Sequence, residues 1–267
     1  MTGTIRIQLE IGPKGKRVIA VAPDWPGLSR GAKSEDGAVE TLRAYLPRYT
    51  RIAELAGLAG DYPADGGVEV VERYPGVSST DFWGISFAFS AIDRQPMTDA
   101  ELERSLALLR GAWSFFDEVR TRVSPEMARG PRGAARTRDQ IARHTIYSEF
   151  AMSKKVGHPG DMEALANDDA LRRHREGYVA AIAAYHSEGK MARKWPLRYL
   201  IRHTAYHSLD HAWEMEDKDL TGMCGGSPDR QPRRRIRPGA DSSFSKRVVT
   251  PCAVQFSPIP PMSSTAT

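Results

Sequence analysis

Thiol chemistry is nearly missing from this chain. Of its 267 residues only two are cysteine, Cys224 and Cys252, and both lie beyond residue 221. The region before them therefore holds no disulfide framework, no zinc-thiolate site and no cysteine nucleophile. Long apolar runs are missing too. No stretch reaches the ~20 residues needed to cross a bilayer, and Met1–Glu10 lacks the apolar core of a signal peptide. The expectation is a soluble, cytoplasmic protein with no membrane partner. Charge of one sign is not in excess over most of the sequence. The formal net charge is +5, yet residues 222–267 hold seven basic residues against two acidic ones, which equals the whole excess. A charge-balanced core makes a nucleic-acid partner unexpected there. From Gly222 onward the chain is rich in Gly, Pro, Ser and Arg without apolar periodicity, and reads as a disordered basic tail.

Histidine is what stands out. Three of the seven, His203, His207 and His211, fall four residues apart. On a helix that spacing is about 400° of rotation, so the rings stack on nearly one face. An isolated helical histidine is ordinarily a core or surface residue, but a pair four apart can grip one metal ion. All three cannot, because the outer Cα atoms lie about 12 Å apart at 1.5 Å rise per residue. A third ligand must come from another helix. His158 precedes a Pro-Gly turn, His186 lies beside Ser-Glu-Gly, and His174 sits in a charged run, so these read as solvent-facing. His144 aligns with Ile141, Ser148 and Met152 at helical spacing and is the expected third ligand.

Four helices frame these residues. Thr98 and Glu101 form a capping-box pattern before an apolar stripe over Asp99–Val123. A Gly/Pro/Arg-rich connection, Ser124–Thr137, leads to Arg138–Val156, which stops before Gly157-His158-Pro159-Gly160. A third helix spans Asp168–Ser187, and Pro196 opens the fourth. The pattern predicts an antiparallel four-helix bundle over residues 97–221. An inward histidine on one helix, an intervening helix, then His-x3-His resembles the DinB/YfiT-like superfamily of four-helix-bundle metalloproteins, over about Thr98–Leu220. The resemblance implies a facial metal site of His144, His207 and His211. HSLDHAWEMED stands where commoner members carry a double His followed by Arg-Gly-Gln, so the usual outer contacts differ. The resemblance further implies thiol transfer with a low-molecular-weight thiol, isomerisation or hydrolysis as activity classes.

Residues 1–92 read as a small α+β domain of ββαββ order. Strands are expected at Ile5–Glu10, Arg17–Val21, Val68–Arg73 and Asp81–Ser90, the last from near-alternating Phe82, Ile85, Phe87 and Phe89. Ser34–Leu58 reads as a helix that Pro47 should kink or divide. The run AVAPDWPGLSRGAKSEDGAVETLRAY resembles the HicB-like antitoxin module, with Leu28 where that family often has Cys, which implies partner binding. A turn closing a hairpin before a helix, a lid, or a homodimer surface are the plainer alternatives.

Three neutral imidazoles suit a divalent transition metal, Zn, Ni, Co or Fe, rather than Mg or Ca. Such a site leaves positions where a water or thiol can ionise. Glu214, one turn past His211, is the candidate catalytic acid/base or hydrogen-bond acceptor, although WEMEDKD is also simply a charged helix end. Asp210 reads as a surface charge. Two functions stay open: a metal-dependent enzyme acting on a small-molecule substrate, or a non-catalytic stress or interaction protein with a structural metal. An open pocket lined by Trp213 or Tyr147 would mark the first, and a sealed ion the second.

Overall fold

Ile5, Ile7 and Leu9 are fully buried, and this period of two makes β1 (Thr4–Ile11) an inner strand of a four-stranded sheet. The computed structural model describes residues 3–129 and 136–221. β1 pairs antiparallel with β2 (Val18–Val21), which pairs antiparallel with β3 (Ser29–Ala32). After α1 (Glu35–Leu55), β4 (Gly67–Pro75) returns parallel to β1, giving the order β3-β2-β1-β4. The element order is thus βββαβ, not ββαββ.

Two segments account for that difference. Ser29–Ala32 carries no apolar alternation, and it becomes a strand because the Pro23–Gly27 turn folds it back onto β2. Asp81–Ser90 is not a strand. Ser78–Trp83 forms a short helix, α2, ended by Gly84 in the left-handed region, and Ala91–Arg94 forms α3. Between them the backbone N–H groups of Phe87 and Ala88 donate to the buried carboxylate of Glu10 rather than to a neighbouring strand. Glu10 also accepts from Tyr74, Thr80 and Ser86. A buried carboxylate needs such donors, and here it takes the very groups a strand would use. Phe82, one of the near-alternating apolar positions of the expected strand, is 74% exposed.

Pro47 neither divides nor ends α1, which runs unbroken from its Ser34 cap. The ring lies on the exposed side of the helix.

Four long helices follow: α4 (Asp99–Arg122), α5 (Arg138–Ser153), α6 (Asp168–Ser187) and α7 (Leu197–Asp217). Thr98, Thr137 and Asn167 cap the first three through their side chains. α7 is buried on several sides, packing on α4 and α5, while α1 packs on α4. The β2–β3 turn also rests on α7. Gly27 has φ +94°, and a Cβ there would lie 2.7 Å from Leu209 Cδ1 and 3.1 Å from the Ala205 backbone. Buried apolar residues from Ile5 to Met215 form one continuous cluster across sheet and helices. The expected disordered tail and both cysteines lie outside the described residues.

Candidate metal centre

Ile141 and Ile146 seat α5 in the core, and Leu209 and Ala212 do the same for α7. That packing brings His144 of α5 against His207 and His211 of α7. One ligand atom from each lies within 4.8 Å of the others. Ring centroids are 5.2 Å apart for His144–His207, 5.0 Å for His144–His211 and 4.6 Å for His207–His211. His207 and His211 are buried, and His144 is half-buried. Both ring nitrogens of His207 and Nε2 of His144 are buried without a hydrogen-bond partner among the described residues. Unpaired buried nitrogens are costly, and an ion shared by the three rings would relieve one nitrogen on each. These are the three histidines that spacing selects.

Glu214 fixes the third ring. Its Oε2 lies 2.8 Å from His211 Nδ1, so a proton on Nδ1 is donated to the carboxylate and Nε2 is the nitrogen left for an ion. Arg136 donates to the same oxygen at 2.7 Å and Lys218 to Oε1 at 2.6 Å. Burial works against its ionisation, but the bonds from His211 and Lys218, with Arg136 beside them, prevail and hold its carboxyl far below the usual range. A carboxylate so occupied orients a ring and is a poor proton shuttle. The Lys218 contact is readable as an i,i+4 pair, whereas Arg136 stands in a loop that carries no such signal.

Burial holds two of the rings, those of His144 and His207, neutral. His144 is pushed down to about 4, by burial first and then by His211 and Arg136. His207 is lowered well below the ordinary histidine range, again chiefly by burial. Neutral imidazole is the metal-binding form.

The other histidines fall elsewhere. His203 stacks on Tyr199 at 5.2 Å and faces Trp195 at 5.4 Å, apart from the cluster, as its position on the helix requires. His174 is not solvent-facing: it is buried beside His158, with centroids 4.8 Å apart. The charged run misleads because Arg172 and Arg173 point outward while His174 and Arg175 turn in. His186 ends α6 and meets Asp99 at 3.0 Å. Asp210 is not a free surface charge but accepts from Arg30 at 3.3 Å. Trp213 faces away from the cluster, packing on Tyr45 and Phe115, and Tyr147 is half-buried on α5.

No family model matches this chain, and neither a curated protein nor a solved structure is similar to it.

Proposed function

We propose that His144, His207 and His211 bind one divalent transition metal and that the protein is a metal-dependent enzyme acting on a small substrate. The observation that carries this reading is the convergence of three imidazoles, two buried and one half-buried, of which His144 and His207 have nitrogens without another partner among the described residues. On this reading α4–α7 form a DinB-like four-helix bundle, with thiol transfer, isomerisation or hydrolysis as the activity classes. A Zn, Ni, Co or Fe ion held there would ease ionisation of a water or of an external low-molecular-weight thiol. The chain's own part is to hold three rings in place, with Glu214 keeping the Nδ1 proton of His211.

Donor number favours catalysis over a structural ion. The cluster contains three side chains, and no fourth His, Cys, Asp or Glu among the described residues joins it. Structural zinc sites are closed by four protein ligands, whereas catalytic ones keep a position open. The second reading, a non-catalytic interaction protein with a HicB-like partner-binding module, draws on the deep burial of His207 and His211.

Elemental analysis of the purified chain tests the site. About one metal per chain is expected, lost in His207→Ala and His211→Ala and retained in His174→Ala. Glu214→Gln should weaken affinity roughly 10–100-fold, the usual effect of removing a group that orients a ligand. Equal metal in all four variants overturns the assignment. A metal-loaded protein inert toward thiols and electrophilic or hydrolysable small substrates would favour the second reading.

A further inference from the structure

The turn between β1 and β2 carries Lys14, Lys16 and Arg17 and no acidic residue. The charge balance of the chain up to residue 221 therefore hides a local excess. α2 is fastened to this turn. The Asp81 carboxylate accepts from the backbone N–H groups of Lys14, Lys16 and Arg17 at 2.7, 2.8 and 3.1 Å, and Gly12 leaves room for it that a Cβ would take. The acid of this platform is thus taken up by backbone amides. Among the described residues the side chains of Lys14, Lys16 and Arg17 form no ion pair.

The same fastening holds Phe82 out in solvent, 74% exposed, close in sequence to Val77 at 43%. Trp83 meets the Phe82 ring edge to face, with centroids 4.6 Å apart. Between these rings and the lysine turn lies a cavity of about 430 Å³, lined also by Ser78 and Ser79. One wall is aromatic and the other cationic. Single-stranded nucleic acid is the polyanion that uses both, because its bases stack on rings while its phosphates meet basic side chains.

We propose that this platform binds single-stranded nucleic acid. A base enters the cavity and stacks on Phe82 and Trp83, Ser78 and Ser79 reach its edge or sugar, and the flanking phosphates meet Lys14 and Lys16. A flat lipid surface does not match a concave site between two walls, and an acidic peptide would engage the lysines without needing both rings. The site is separate from the metal centre and goes beyond the function proposed for it.

Fluorescence anisotropy of a labelled oligothymidylate, about eight nucleotides long, titrated with the full chain tests this. Saturable binding is expected, and weaker binding of a duplex of the same length, whose bases are stacked inside. Phe82→Ala should weaken the single strand about tenfold, a typical loss for one stacked base, and Phe82→Trp should restore it. Both changes fall on an exposed side chain and leave the core intact. Lys14→Gln combined with Lys16→Gln should reduce the slope of log affinity against log salt by about 1.4, at about 0.7 per phosphate contact. The proposal is overturned by absence of saturable binding, by a duplex that binds as tightly, by Phe82→Ala that binds like the parent, or by an unchanged salt slope in the lysine variant. The last two results would assign the binding to the basic residues beyond 221. Displacement of the strand by polyglutamate or phosphatidylserine vesicles as readily as by unlabelled oligothymidylate, at equal charge concentration, also overturns it.

Discussion

Buried imidazoles make the response to acid a property of single residues. In the folded, metal-free chain burial pushes His144 and His174 down to about 4 and His203 to about 3. In the unfolded chain each returns to about 6.5. Between those values the unfolded state binds more protons, so stability falls as pH falls. The metal-free protein should therefore hold constant stability above about pH 6.5 and lose it progressively from there to about pH 3. Chemical denaturation across that range checks this; a flat profile would contradict the burial of these rings. Metal retention should extend downward for the same reason, because His144 and His207 stay neutral below the ordinary histidine range. A release titration is expected to give a midpoint below about pH 6 that drops further as free metal rises.

At the scale of elements, α1 offers a clean substitution. Pro47 interrupts the hydrogen-bond ladder of a 21-residue helix from its exposed side. Pro47→Ala should raise stability by about 1–3 kcal/mol, measured by denaturant unfolding, since an interior helical proline costs about 3 kcal/mol relative to Ala. A loss of stability would mean that the local geometry set by Pro47 is needed for packing on α4. The helices were the most legible part of the chain. Asp99 opens its helix where the capping pattern places it, and α6 runs Asp168–Ser187 as its apolar stripe requires. Local signals suffice for such elements, and the His-x3-His pair shares that locality. The strands of the N-terminal region were less legible because their fate depends on distant groups. Glu10 diverts the amides of Phe87 and Ala88, and β3 exists only through its neighbour β2. Likewise His174 and His158 turn inward through tertiary packing that no sequence window contains.

Considered whole, the molecule ties its sheet to its last helix by buried polar contacts. Arg202 of α7 donates to Asp93 at 2.7 and 2.8 Å and to Ser86, which in turn donates to Glu10 of β1. Together with the shared apolar core, this predicts one cooperative thermal transition by calorimetry instead of the two that separable domains at residues 1–92 and 97–221 would show. Resolved transitions would show that the contacts on α7 are too weak to couple the halves.

The Gly27 turn has a consequence for how the chain is made. Its cover, α7, lies far along the sequence: neighbouring Arg30 meets Asp210 across 180 residues. At ribosomal speeds of about 5–20 residues per second, roughly 10–40 s separate the emergence of the two. Throughout that interval α1 already covers β2 and β3, but the face of the turn that rests on α7 stays open, and two of the three imidazoles have yet to be synthesised. Metal capture is thus confined to the end of biosynthesis, and the Gly27 turn is among the last parts of the sheet to find its cover.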